Sequence, residues 1–169
     1  IAQKNGEYVG STAPYGYCVE KINGICKLIV EPEAAKIVRR IFEEYASGDG
    51  IQSIIDRLFE DRVHRISDYN QYHHVYCQDG ENLHQWGNSS IRAVLNRNNY
   101  YGDLVQRKYE SRFQRGEKWC DILDESQWII TPNAHEPIIS RELFDKAQVR
   151  LKAAQQKTTK TTAGWEEDE

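Results

Sequence analysis

Two apolar stripes at helical spacing, set end to end between Glu31 and Glu60, fix the kind of core this 169-residue chain can build. Ala34, Ile37, Val38, Ile41, Phe42 and Tyr45 recur at steps of three and four, so they line one face of a helix. Pro32 opens that helix, because the amide donors of a first turn have no intrahelical acceptor to lose. Glu31 and Glu33 suit the positive end of its dipole. Gly48 is a natural stop. A second, shorter helix follows from about Ile51, with Ile51, Ile54, Ile55, Leu58 and Phe59 on its buried face. At this length the chain suits one compact domain, or a domain with a small appendage.

Around these helices the expected elements are short. Residues 1–16 are Gly- and Tyr-rich and polar, and read as an N-terminal arm. Tyr17 to Lys21 and Ile25 to Val30 form a hairpin turned at Asn23-Gly24, which places Glu20 opposite Lys27, Cys18 opposite Ile29 and Cys26 opposite Lys21. Residues 64–85 show no usable period and read as an extended loop or insertion, with a turn at Asp79-Gly80. Trp86 ends it. Asn88 or Ser89 caps a third helix whose Ile91, Val94 and Leu95 face inward. Tyr101 to Tyr109 and Trp128-Ile129-Ile130 form an antiparallel pair around a basic loop. Ser140 caps a last helix with Leu143, Phe144, Ala147 and Leu151 on one side. Past Ala154 it loses apolar partners and should fray into a linker, residues 155–169. The fold class is α+β, a helical, helix-turn-helix-like core with one or two small antiparallel β-hairpins. Residues 17–154 form its folded domain.

A net charge of −4 argues at first against a nucleic-acid partner. The charge is sorted along the chain, however, and Glu166, Glu167, Asp168 and Glu169 alone supply the surplus. Between His84 and Lys118 seven bases face three acids, and from Arg141 to Lys160 six face two, whereas Glu31 to Asp61 holds eight acids and four bases. The later part of the chain is the phosphate-facing candidate. The rival reading of these runs is solvated surface. No apolar run has membrane-spanning length and no signal-peptide pattern is present, which fits a soluble, cytoplasmic protein. Cys18, Cys26, Cys77 and Cys120 make no Cys-x-x-Cys pair. Cys18 and Cys26 point to opposite faces of their hairpin, and free thiols fit a reducing compartment. The chain starts at Ile1 and contains no Met, so it reads as a piece of a longer protein.

Five boxes then occur in order: Pro14-Tyr15-Gly16-Tyr17; Pro32-Glu33-Ala34-Ala35 with Val38 and Phe42; Trp86 with Leu95-Asn96; Tyr100-Tyr101-Gly102; and His135-Glu136-Pro137-Ile138-Ile139-Ser140. Together, over roughly Gly6 to Leu151, they resemble the DNA-binding recombinase domain that follows the catalytic domain in large serine site-specific recombinases. The resemblance implies a targeting module for DNA recombination, of integrase, transposase or resolvase type, that selects and grips a double-stranded attachment half-site. It implies a bacterial parent enzyme, a dimer on DNA and a tetramer in synapsis, whose upstream Ser attacks a DNA phosphate. The family's catalytic domain and zinc ribbon are not in this sequence, so for this chain the expectation is no catalytic residue, no cofactor, no metal, no small-molecule substrate and no membrane.

Three groups are candidates for DNA contact. In the arm, Lys4 and Tyr15, with Tyr8 and Ser11 beside them, can follow a groove. The rival reading packs Tyr15 on the hairpin. In the third helix Arg92 and Arg97 suit phosphate or guanine, and Ser89, Ser90 and Asn96 offer hydrogen bonds; Asn96 is equally a helix C-cap. The basic loop, Arg107, Lys108, Arg112, Arg115 and Lys118, can straddle the backbone and add affinity without reading sequence. His135 and Pro137 read as structural, fixing the approach to the last helix. His64, His73, His74, Cys77 and His84 are the one constellation with metal-ligand chemistry, but His73-His74-x-x-Cys77 lacks the paired brackets of structural zinc sites, and a Tyr-rich loop touching DNA or a partner is expected instead. Two readings from other classes stay open. One is a protein-interaction module of a mobile-element protein, favoured by net acidity. The other is a stand-alone metal-dependent nuclease, which no coherent motif supports.

Overall fold

The computed structural model describes residues 7–10, 12–106, 109–111 and 120–163, with side chains described for residues 7–10, 12–106 and 123–156. The element order is β1 (Tyr17–Ile22), β2 (Ile25–Val30), α1 (Pro32–Ser47), α2 (Ile51–Glu60), α3 (Ile66–Tyr72), α4 (Asn88–Leu95), β3 (Leu104–Gln106), β4 (Tyr109–Ser111), β5 (Cys120–Ile122), β6 (Ile129–Thr131) and α5 (Arg141–Ala163). A 3-10 turn over Asn98–Tyr101 lies between α4 and β3. Helices and small antiparallel sheets make this an α+β fold. The chain divides into two compact units, residues 1–35 with 97–138 and residues 36–96 with 139–169.

The first unit is built on short antiparallel ladders. β1 pairs with β2 in the expected register, Glu20 opposite Lys27 and Cys18 opposite Ile29. Asn23 and Gly24 take φ of 52° and 83°, the positive values a two-residue turn needs for its twist to match the strands. β3 pairs with β6, and β4 with β5 between them in sequence, so the expected antiparallel pair is present, but its first strand is shorter than Tyr101 to Tyr109, because Tyr101 belongs to the 3-10 turn, and its second is shifted to Ile129–Thr131. Between these ladders sits an aromatic cluster. The Tyr17 ring stacks on Tyr100 at 6.1 Å and meets His135 edge-on at 5.0 Å. The Tyr17 hydroxyl donates to the Glu136 carbonyl at 2.7 Å, and the Tyr100 hydroxyl donates to the Tyr15 carbonyl at 2.8 Å. Burial pushes both phenols well above their ordinary range, so they stay protonated donors. Gly102, at φ 97°, lets the chain turn beneath this cluster, where an added Cβ would stand 3.1 Å from the His135 carbonyl oxygen.

The second unit is helical. Ile37, Val38, Ile41, Phe42 and Tyr45 of α1 are buried as their spacing requires, as are Ile51, Ile54, Ile55 and Leu58 of α2. Phe59 was expected on that face and is instead 41% exposed, because it falls one position past the α2 stripe. α2 packs on α4 and α4 on α5, with Ile91, Val94 and Leu95 of α4 and Phe144, Ala147 and Leu151 of α5 buried. Arg57 binds Glu44 at 2.9 Å and Asp49 at 2.8 Å, which neutralises part of the acidic run. Arg150 of α5 lies 4.4 Å over the Tyr45 ring and donates to the carbonyls of Tyr45, Gly48 and Asp49, closing the orphan acceptors where α1 ends. Ser140 caps α5 by accepting the Leu143 amide at 3.2 Å.

Two expectations need correction. Residues 64–85 are not an extended loop. They contain α3, and they bury His64, Asp68, Val75 and Cys77. The segment leaves α2 through an antiparallel bridge between Val63 and Tyr76, with the His64 amide donating to Val75 and the Cys77 amide to Arg62. α5 also does not end near Ala154; it runs to Ala163, since Ala, Gln and Lys are good helix formers even where, as over residues 152–156, they are exposed.

Candidate nucleic-acid interface

α4 is the element whose two faces differ most in chemistry. Ile91, Val94 and Leu95 are buried at 0–3% exposure, while Ser89, Arg92, Ala93 and Asn96 are exposed and Ser90 is half-buried. The helix opens on Gly87 in extended geometry without a side-chain cap, so neither Asn88 nor Ser89 has the capping role expected of it. Asn88 instead accepts from Arg92 Nε at 2.8 Å, an i,i+4 contact that steadies the guanidinium at the helix surface. Asn96 is the C-cap residue, and its Nδ2 donates to the Arg92 carbonyl at 2.9 Å. A bidentate contact from Asn96 to adenine would first have to break that bond. Arg97 is exposed but follows the helix in extended conformation, and it belongs to the first compact unit while Arg92 belongs to the second.

The other candidates divide in the same way. Tyr15 is 6% exposed and lies in the core of the first unit, which is the packing alternative rather than a residue laid along a groove. The arm beside it is tied down, with the Tyr8 amide donating to Cys26 at 2.9 Å and its hydroxyl to Thr12 at 2.6 Å. Lys4, Ser11, Arg107, Lys108, Arg112, Arg115 and Lys118 lie outside the residues whose side chains are described. The β4–β5 pairing brackets the stretch that carries Arg112, Arg115 and Lys118. His135 has the structural part assigned to it. Its Nε2 donates to the Asn99 carbonyl at 2.6 Å, and burial, only partly offset by that carbonyl, holds its pKa below the usual histidine value.

A second polar cluster was only half legible in the sequence. Glu81 Oε2 lies 3.0 Å from His64 Nε2, 2.9 Å from His74 Nε2 and 2.8 Å from the Gln78 amide that donates to it. Cys77 Sγ completes a group with His64 and Glu81 in which the ligand atoms lie within 4.8 Å of one another. The Gln78 amide, His74 and His64 hold the Glu81 carboxyl down at about 2. His73 is exposed and takes a left-handed C-cap conformation at φ 60°, and His84 binds Asp68 at 2.9 Å. Burial would raise the Asp68 pKa, but His84 and Arg65 outweigh it and lower it. The signal for Glu81 was the Asp79-Gly80 turn, which returns the chain toward Cys77.

Comparison with known proteins gives the family. A family model described as Recombinase matches residues 32–154. Among solved structures, the chain is similar to one from a crystal structure of an LSR–DNA complex, at 18% identity and a TM-score of 0.51, over 88% of this chain and 35% of that one. It is also similar to a chain described under the sequence requirements of the Listeria innocua prophage attP site, at 18% identity and a TM-score of 0.49, over 87% of this chain and 46% of that one. The chain thus spans less than half the length of either, and at this identity the first likeness concerns the fold. The family match, however, runs across well over half of the sequence and takes in α1 to α4 and most of β3 to α5, so the chain belongs to the Recombinase family.

Proposed function

We propose that this chain is the targeting portion of a serine site-specific recombinase, gripping double-stranded DNA at one attachment half-site. The observation that carries the reading is the two-faced α4. Its apolar face is locked onto α2 and α5, and its outer face offers Ser89, Arg92 and Asn96 for major-groove contact, as the last helix of a helix-turn-helix does. Support comes from membership of the Recombinase family and from a structural neighbour solved as an LSR–DNA complex. The basic stretch from Arg107 to Lys118 supplies backbone affinity, and Lys4 in the arm adds a phosphate contact. The Ser nucleophile belongs to another part of the parent enzyme, and synapsis assembles dimers on DNA into a tetramer.

The test is fluorescence anisotropy of labelled duplex attachment-site DNA titrated with the chain at several salt concentrations. Affinity falls steeply with added salt, and Arg92→Ala and Arg97→Ala weaken it more than Arg57→Ala, whose guanidinium is already held by Glu44 and Asp49. Equal effects of all three would move the recognition surface elsewhere. A second reading, a protein-interaction module, is favoured by Val19, Ile22 and Ile25, which stand 39–40% exposed on the β1–β2 hairpin. Absence of any salt-sensitive duplex affinity would favour that reading.

A further inference from the structure

We propose that His64, His74, Cys77 and Glu81 form a structural zinc site that staples residues 64–85 to the end of α2. The proposal is independent of DNA binding, and it reverses the expectation drawn from ligand spacing. That expectation considered histidines and cysteines alone, whereas the fold brings a carboxylate into their midst.

The geometry carries the argument. Three groups, two imidazoles and the Gln78 amide, converge on the single oxygen Glu81 Oε2 at 2.8–3.0 Å. Three nitrogens thus crowd a single oxygen that has two lone pairs, while the protons on the two ring nitrogens depend on their tautomers. A cation between the imidazoles and the carboxylate removes that conflict, because the Nε2 atoms then present lone pairs to the metal in place of protons to the oxygen. The third ligand is in place, since Cys77 Sγ lies within 4.8 Å of the ligand atoms of both His64 and Glu81. Zinc bonds of about 2.0–2.3 Å set ligand separations of about 3.3–3.8 Å, so Cys77, His64 and Glu81 need to contract by at most roughly 1 Å, and His74, 2.9 Å from Glu81, to draw back slightly from it.

Charge and surroundings agree. One Zn²⁺ with a thiolate, a carboxylate and two neutral imidazoles is a neutral group, which suits a site where His64 is 0% and Cys77 7% exposed. Two nitrogens, a sulfur and an oxygen fit zinc better than calcium or magnesium, which take oxygen ligands. Arg62 donates to Cys77 Sγ at 3.7 Å and to the Cys77 carbonyl at 3.3 Å, the kind of outer contact that orients a metal-bound sulfur. Tyr72 stacks on His64 at 5.0 Å and walls the site on one side. His64 Nδ1 has no partner among the described residues, and that holds with or without metal, so it does not decide between them. On binding, the Cys77 thiol releases its proton to solvent, and each imidazole keeps a single proton, on Nδ1.

What the site would do follows from the local fold. The regular structure of residues 64–85 is one seven-residue helix and an isolated bridge beside it, and much of what else holds the segment is polar, such as His84 on Asp68 and Gln85 on Asp56. The ligands come from both sides of that bridge, His64 beside Val63 and Cys77 beside Tyr76, and from the Gln78–Glu81 turn. One ion therefore closes the segment on itself.

The test uses the 169-residue chain, stripped with chelator, refilled with cobalt(II) and followed by absorption, with zinc measured by mass spectrometry after refilling and dialysis. The expected result is one metal per chain, tetrahedral cobalt bands in the visible and a thiolate-to-cobalt charge-transfer band. Cys77→Ser abolishes that band and Cys26→Ser leaves it. His74→Gln weakens cobalt binding by at least about 10-fold, since even removal of an outer-shell partner costs about 10–100-fold. Failure of the unaltered chain to retain zinc and to give the charge-transfer band overturns the proposal, and so does a band that survives Cys77→Ser. Because the decisive readings are taken on the unaltered chain, a variant that does not fold leaves the result intact.

Discussion

His135 in the first unit and His64 in the second are both withdrawn from water, yet their partners put them to opposite uses. His135 donates to a backbone carbonyl and meets Tyr17 edge-on, and burial favours its neutral form, so the ring acts as a wedge between Tyr17 and the chain before α5. His64 faces a carboxylate that another histidine shares, with a thiol close by. A neutral acceptor fixes a histidine for packing. An anionic acceptor surrounded by further donors creates a place where a cation can substitute for protons.

That contrast can be attacked by mutation, and the largest effect is expected at His64. His64→Ala leaves a cavity and takes away one of the three partners of Glu81 Oε2, and should cost roughly 3 kcal/mol of unfolding free energy in a urea titration. A loss no larger than that of an exposed residue would mean the cluster holds nothing together. His135→Gln is smaller, about 1 kcal/mol near neutral pH, because one hydrogen bond and an edge-on ring contact are exchanged for an amide. Its sharper signature is pH dependence. The folded-state pKa of His135 is depressed, so its contribution is complete above the unfolded value of about 6.5 and declines as pH falls from there toward the folded pKa. In the variant that part of the acid destabilisation disappears, which stability curves at pH 7 and pH 5 would reveal. Chelator should lower the melting temperature of the unaltered chain and of His135→Gln alike, and leave Cys77→Ser unmoved. The smallest effect belongs to Arg92→Ala, within about 0.5 kcal/mol in stability, since Arg92 is exposed and, among the described residues, its side chain bonds Asn88 on the same helix. If its loss also leaves DNA affinity unchanged, α4 is not the reading helix.

How much of this was legible depended on which interactions organise each region. The β1–β2 register follows from Asn23-Gly24 and strand alternation, both local, and it was read residue by residue. The buried stripes of α1, α2 and α4 follow from period, with Phe59 the one misplaced member. Period failed over residues 64–85 because what is buried there includes His64 and Asp68, polar side chains answered by Glu81, Arg65 and His84 rather than by apolar neighbours. Hydrophobic patterning cannot register a core of that kind. The outer face of α4 was legible as chemistry. The separation of Arg92 from Arg97 was not, since five residues of sequence conceal where a helix ends and the chain passes from one compact unit to the other.

The contacts of Arg150 with the end of α1 join residues 101–105 positions apart, and they set a timetable for folding. The two units interleave along the chain, so the first is complete in covalent terms at Ile138 and the second only once α5 has been made. During synthesis the apolar stripes of α1, α2 and α4 therefore leave the ribosome well before the helix that covers them. The sheet unit can close while its helical counterpart still lacks α5.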